Sequence, residues 1–220
     1  MDDKLWSEIA ACDSAKRIRL ILEKCFSTSV DEDVLQSVCD FPIVEIEDNL
    51  FVLELERAGM FVSIDTKQMS FVIAAVLASA YVDLDIDGKI NMFLPNDKDL
   101  VCGAVLARDL GVPIDIFVGA DEDKEEEKAC FIGIDKKAVG EIIKDFSDFD
   151  DYVFDPISAL AAGAFACVEE DVEDMPSVIV SVASPMQYAK EVVSALGVKA
   201  RDEQEAKRKL KELFAVDMIE

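Results

Sequence analysis

The sequence predicts an α/β fold, a single-domain three-layer sandwich in which a mostly parallel sheet is flanked by helices. The main observation is a strand–helix–strand unit between Lys89 and Ala120. A parallel pair of strands joined by a helix needs helices on both faces of its sheet. Met69–Ala80 has the composition of such a helix, buried against a sheet. Val178–Val182 is in turn typical of a buried strand.

The first 40 residues are predicted to be a helical segment packed on one domain that spans residues 1–220. Two amphipathic helices are expected between residues 2 and 26, with Ser14 as the cap of the second helix. The capping box Ser29-x-x-Glu32 then predicts a short third helix that ends at Val38.

Strands are predicted after this helical segment. Ile43–Ile46 and Leu50–Leu55 lie on either side of a turn at Asp48-Asn49, and a further strand is expected over Met60–Ile64.

Residues 81–94 are predicted to form a β-hairpin with a three-residue connection at Ile86-Asp87-Gly88. Asp83–Gly88 also resembles the first half of a calcium-binding loop. That pattern requires a glutamate at its twelfth position, where this chain has Leu94. The hairpin therefore explains the segment better.

The strand–helix–strand unit contains the first candidate for chemistry. Pro95 ends its first strand, and Asn96, Asp97 and Asp99 offer oxygen atoms that can cap the following helix. Ligands of open α/β sheets bind at the carboxyl ends of strands, against helix N-termini. A phosphate-binding loop at this position needs glycines and free N–H groups, whereas this loop carries two carboxylates.

The remaining chain predicts more helices and strands around the same sheet. Val178–Val182 is the buried strand among them. The other segments are a solvated charge run at Asp121–Glu127, in a loop or at an exposed helix start; a strand over Cys130–Ile134; a helix over Lys136–Phe146; a helix from Pro156 to Val168 capped by Asp155; and two last helices over Met186–Leu196 and Asp202–Phe214.

Composition excludes several functional classes. The net charge is −25, from 22 basic and 47 acidic residues, which disfavours binding to nucleic acid or to an anionic membrane. No apolar run is long enough to span a bilayer, and the chain opens with Met1-Asp2-Asp3 rather than a signal peptide. The six cysteines include no C-x-x-C pair, so buried thiols of a cytoplasmic protein are expected.

The sequence contains no histidine. Ser-His-Asp and Cys-His catalytic groups, HExxH zinc sites and imidazole proton shuttles are therefore impossible. No metal site is predicted. Any acid–base chemistry would have to use carboxylate, lysine, tyrosine or cysteine side chains.

The order of these elements resembles that of threonine synthases, lyases of the fold-type II pyridoxal-phosphate family. Four blocks in the family's order carry the resemblance. They are Phe41–Leu55, which ends in LEL; Phe93–Ile114, similar to PSGNFGN…MGLPI; Asp155–Ala161, similar to DPHTAVG; and Ser181–Gly197, similar to ATAHP…ALG.

The resemblance implies a pyridoxal-phosphate lyase, but the chain departs from the family pattern where the chemistry would lie. The lysine that forms the family's Schiff base aligns with Ile64, and Lys67 is the nearest replacement. The family's phosphate loop has become Pro95–Asp99. Any cofactor-binding remnant would consist of Asn96, Lys98 and Ser158. The chain also has roughly half the length expected of such an enzyme.

The first interpretation is therefore a non-catalytic threonine synthase-like protein without cofactor or catalytic residues, which acts by binding or assembly. The family's pairing as dimers implies a homodimer or another protein partner. One alternative is a surviving pyridoxal-phosphate lyase that uses Lys67, or a carboxylate-based activity at Asp97 and Asp99. Another is a subunit of a larger complex.

Overall fold

A computed structural model of the chain describes residues 3–55, 64–65, 67–122, 124–126, 128–172 and 175–214. The helices of this part are α1 (Asp3–Ala10), α2 (Ser14–Cys25), α3 (Glu32–Val38), α4 (Met69–Asp83), α5 (Lys98–Asp109), α6 (Val139–Phe149), α7 (Ser158–Val172), α8 (Ala189–Ala195) and α9 (Glu203–Phe214). The strands are β1 (Ile43–Glu47), β2 (Leu50–Glu54), β3 (Ile90–Pro95), β4 (Ile114–Ala120), β5 (Lys124–Glu126), β6 (Ala129–Gly133) and β7 (Ser177–Ser181).

The strands of the described residues form one sheet in the order β1-β2-β7-β3-β4-β6-β5. The five inner strands are parallel, and the edge strands β1 and β5 pair antiparallel with their neighbours. The predicted mostly parallel sheet is confirmed. That residues 1–220 form one domain stays a prediction.

Helices cover both faces of the sheet, as a parallel sheet requires. One face packs against α2, α4 and α5, and the other against α6, α7, α8 and α9. Strand β3 shows the alternation directly: Met92 and Leu94 belong to the first core and Phe93 belongs to the second. Phe93 stacks on Phe117, with ring centroids 4.9 Å apart, and meets Phe165 edge-on at 5.4 Å.

A buried arginine joins the N-terminal helices to α4. Arg17, in α2, is 5% exposed. Its guanidinium group donates to the carbonyl and hydroxyl oxygens of Ser79 at 2.9 and 3.0 Å, to Asp83 at 2.7 Å and to the carbonyl oxygen of Cys12 at 2.8 Å. A buried cation requires such partners. The ion pair with Asp83 also explains one of the acidic residues that resembled a calcium ligand.

The predicted hairpin over residues 81–94 is wrong. Helix α4 continues to Asp83, and β3 pairs in parallel with β4 and β7 instead of with a preceding strand. The hydroxyl group of Tyr81 donates to the carbonyl oxygen of Gly88 at 2.8 Å, across the connection from α4 to β3. Alternating apolar residues in so short a segment fit the end of a helix as well as a strand.

The structure also differs from several local predictions. The N-cap of α2 is Asp13 rather than Ser14, and that of α3 is Asp31 rather than Ser29. The charge run at 121–127 contains the edge strand β5. The predicted strand Met60–Ile64 lies outside the described residues except for Ile64.

The six cysteines are free, and none is fully buried as expected, since four of them are only half-buried. Cys102 and Cys167 are exposed. Among the helices of the described residues, none has the length and apolar character needed to cross a bilayer.

Candidate functional site

The carboxyl ends of the parallel strands define the candidate site. Strands β2, β7, β3, β4 and β6 all end at the same edge of the sheet. The N-termini of α5 and α7 lie at this carboxyl edge, because α5 follows β3 and the backbone just after β7 bonds to the first residue of α7. Such an edge is the usual ligand position in an open α/β sheet.

The N-terminus of α5 is closed by its own side chains. One carboxylate oxygen of Asp97 accepts from the backbone N–H groups of Asp99 and Leu100 at 2.9 and 3.0 Å. Asp99 accepts from the hydroxyl group of Ser70, in α4, at 2.9 Å. The predicted capping role of Asp97 is confirmed. These N–H groups, which would bind an anion in a phosphate loop, are already satisfied.

The other residues of this loop point to water. Asn96 and Lys98 are exposed, as is Asp97. Lys98 thus offers a mobile cation at the surface rather than an enclosed phosphate contact.

Ser158 is placed differently from Asn96 and Lys98. It is fully buried at the start of α7, and its hydroxyl group donates to one carboxylate oxygen of Asp155. The same hydroxyl oxygen accepts from the backbone N–H of Val182 at 2.9 Å. The three predicted site residues therefore share one edge of the sheet, but Ser158 lies inside the protein and the other two lie on its surface.

Asp155 organises this helix start. Its second carboxylate oxygen accepts from the backbone N–H groups of Ile157 at 2.8 Å and Ser158 at 3.2 Å. Burial raises the pKa of Asp155, and the hydrogen bonds from Ser158 and Ile157 work in the opposite direction. The predicted cap is confirmed, although the helix begins at Ser158 rather than at Pro156.

Ile64 and Lys67 lie on the α4 side of the sheet. Ile64 packs against the first core as a half-buried apolar side chain. Lys67 is exposed, and its backbone N–H donates to the carboxylate of Asp65 at 3.0 Å. Among the lysines whose side chains are described, none is buried.

A buried carboxylate at the same edge escaped sequence analysis. Glu54, the last residue of β2, is 7% exposed and accepts from the hydroxyl group of Tyr152 at 2.8 Å. The contact joins residues 98 positions apart. The one signal in the sequence was a charge at the end of an apolar strand, which does not identify the partner.

The carboxyl ends of β4 and β6 border an open depression of ≈ 680 Å³. Asp121 and Lys136 form a 3.2 Å ion pair in it. It contains neither Ser158 nor the Asn96–Asp99 loop. Across the described residues, no group of three or more acidic or cysteine side chains is arranged to hold a metal ion.

Solved structures similar to this fold include two threonine synthases. Threonine synthase from Escherichia coli superposes with a TM-score of 0.62 at 12% identity, over 94% of this chain and 86% of that chain. The fold resembles that of threonine synthases. A pyridoxal-phosphate-bound threonine synthase from Brucella melitensis gives a TM-score of 0.54 at 11% identity, over 96% of this chain and 88% of the other.

Comparison of the amino-acid sequence finds no relative of the chain. No protein-family model and no curated protein sequence matches the chain. At 11–12% identity the structural likeness shows the fold alone. The superpositions extend over most of both threonine synthases, and they do not show the shortening that the sequence suggested.

Proposed function

We propose that this protein is a non-catalytic relative of pyridoxal-phosphate enzymes, which has kept their fold, has lost the cofactor chemistry and acts by binding or assembly. The proposal depends on the chemistry of the candidate site, not on chain length. Three features of that site support it.

The first feature, which carries the proposal, is the carboxylate of Asp97 at the N-terminus of α5. A cofactor phosphate would need the N–H groups that Asp97 already caps. It would also bring its negative charges beside Asp97 and Asp99, so the repulsion would oppose the attraction of the helix dipole. The residues present do not fit the phosphate group of the cofactor.

The second feature is the hydroxyl group of Ser158. It bonds to Asp155 and to the backbone of Val182, and it is fully buried. A pyridine nitrogen would have to displace one of these bonds and reach a closed position. Ser158 therefore supports the start of α7 without any need for a ligand.

The third feature concerns the amine that a Schiff base requires. The aligned position is Ile64, whose aliphatic side chain cannot form an imine. Lys67 is exposed, so it lacks the enclosure that activates a lysine in a cofactor site.

The direct test is a titration with pyridoxal phosphate, followed by borohydride reduction and peptide mass spectrometry. We expect no saturable absorbance change and only scattered, substoichiometric labelling of exposed lysines. Lys67→Ala serves as the matched variant and should behave as the parent does. Stoichiometric labelling of one lysine, lost in a single Lys→Ala variant, would overturn the proposal.

Assembly is tested separately by light scattering. A mass equal to one 24.2 kDa chain would contradict a stable homodimer and leave binding to a different partner as the mode of action. Because the chain carries a net charge of −25, association through acidic surfaces should weaken at low ionic strength.

A further inference from the structure

The amino end of the sheet carries a short row of polar side chains on the face that α7 covers. Ser177 of β7, Asn91 of β3 and Asp115 of β4 are direct neighbours in the register of the parallel strands. Residues in register on neighbouring strands point to the same face, and Asn91 shares its face with Phe93, two positions along β3. Phe93 packs against Phe165 of α7. The three residues, which we call the polar row, therefore lie on the α7 side of the sheet.

Asn91 is the unusual member of the polar row. It is fully buried, and among the described residues neither its Oδ1 nor its Nδ2 atom has a hydrogen-bond partner. A side-chain amide is both donor and acceptor, and burying it without hydrogen bonds is costly. Buried polar groups of folded proteins are therefore bonded either to a protein group or to an ordered water molecule. Since no protein group from the described part of the chain bonds to this amide, a small polar molecule is the partner to consider.

The neighbours of Asn91 offer such a molecule a second anchor and a path to solvent. Ser177, only 2% exposed, donates its hydroxyl group to the carbonyl oxygen of Met175 at 3.3 Å. The lone pairs of the same hydroxyl oxygen can accept a further hydrogen bond. On the other side of Asn91, Asp115 is partly exposed and forms a 2.5 Å ion pair with Lys89. The polar row thus leads from a buried amide to the surface.

We propose that the amide of Asn91 holds at least one buried water molecule between β3 and α7. Water fits both ends of the amide, because it can donate to Oδ1 and accept from Nδ2. A water that donates one proton to Oδ1 has a second proton for the hydroxyl oxygen of Ser177. A charged occupant fits less well, because Asp115 is already paired with Lys89 and the core beside Asn91 is apolar.

This water site ties the first residues of β3 to those of β7. The backbone N–H of Asn91 donates to the carbonyl oxygen of Pro176, directly before β7, at 2.9 Å. The water adds a side-chain link between the same two strands, from Asn91 to Ser177. The site lies at the opposite edge of the sheet from the candidate site and does not depend on the proposed function.

Nuclear Overhauser effects between water and the protein test the site in solution. The side-chain N–H protons of Asn91 should show an effect with the sign produced by a water molecule that tumbles with the protein. A rotating-frame spectrum separates this effect from chemical exchange of the amide protons. Asn96, which is exposed, is the control in the same spectrum and should show only the effect of fast surface hydration. The absence of a long-lived water signal at Asn91 would overturn the proposal.

A pair of variants tests the site by counting long-lived waters with oxygen-17 relaxation dispersion. At about one buried water per 27 residues, this chain of 220 residues should hold about eight. Asn91→Leu replaces the amide with an apolar side chain of the same branching, and the dispersion amplitude should fall by roughly one eighth. Asn96→Leu makes the same change at an exposed position and should leave the amplitude unchanged.

Equal amplitudes in the two variants would contradict the proposal. So would a crystal structure of the parent in which the Asn91 amide bonds to protein atoms, or to a bound molecule other than water. The spectrum and the crystal structure both use the parent protein, so the test does not depend on whether Asn91→Leu folds.

Discussion

At the residue scale, the hydroxyl group of Ser158 connects a helix to the strand beside it. It links the carboxylate of Asp155, within the start of α7, to the N–H of Val182, just after β7. All of these polar groups lie in or next to the buried core, where an unmade hydrogen bond is costly. This single side chain therefore fixes how α7 sits at the carboxyl edge.

Replacing Ser158 with alanine should lower the free energy of unfolding by about 2 kcal/mol, because Val182 loses an acceptor and Asp155 loses a donor. Chemical denaturation measures the effect. Ser194→Ala, at an exposed position of α8, is the matched control and should change stability by less than about 0.5 kcal/mol. Equal losses in the two variants would show that the Ser158 bonds contribute nothing specific.

The residues also show the limits of local sequence signals. The caps at Asp97 and Asp155 were predictable, because each carboxylate bonds to N–H groups within three positions. The partner of Ser158 lies 24 positions away, and that of Glu54 lies 98 away. No pattern in the sequence fixes contacts over such separations.

At the element scale, a glycine lets α7 approach β4 closely. A Cβ atom on Gly119 would lie 1.9 Å from the carbonyl oxygen of Leu160, in the first turn of α7. The obstructing atom belongs to the backbone and cannot rotate away. Gly119 thus sets the distance between helix and sheet beside the Ser158 contact.

Gly119→Ala should destabilise the fold by about 3 kcal/mol, since helix or strand must move to relieve the clash. Gly140→Ala is the matched control: its Cβ would lie an ordinary 3.7 Å from Ala195, within α6, where alanine should stabilise by up to about 1 kcal/mol. Thermal unfolding distinguishes the two. A Gly119→Ala protein as stable as the parent would refute the close approach.

Whether a segment forms a helix or a strand was harder to predict where its apolar spacing fits both. The helical extension of α4 through Asp83 replaced a predicted strand, because the ion pair with Arg17 and the bond from Tyr81 to Gly88 stabilise helix and loop. Strand β5 likewise forms inside a charge run by pairing with β6. In both cases tertiary contacts outweighed the local pattern.

At the scale of the whole molecule, charge is the dominant surface property. With 47 acidic and 22 basic residues, the folded chain concentrates like charges that the unfolded chain can spread apart. Several surface carboxylates do pair with lysine or arginine, as Asp148 does with Lys144 at 3.0 Å. The excess of acidic residues leaves a net repulsion.

Salt should therefore stabilise the protein. Raising sodium chloride from about 0.01 M to about 0.1 M shortens the Debye length from about 30 Å to about 10 Å and should increase the free energy of unfolding by about 1 kcal/mol. Urea denaturation at each concentration measures it, with potassium chloride as a check for ion-specific effects. Stability that falls with salt would show that the surface ion pairs outweigh the repulsion.

The sequence by itself determined the α/β architecture, the mostly parallel sheet and the caps at Asp97 and Asp155. Apolar periodicity, turn residues and capping carboxylates act over a few neighbouring positions, so they can be recognised in the sequence alone. Tertiary structure alone decided that the hydroxyl group of Ser158 bonds to the backbone of Val182 and that Tyr152 bonds to Glu54. These contacts form only when the sheet brings distant segments together, because their geometry depends on strand order and helix packing.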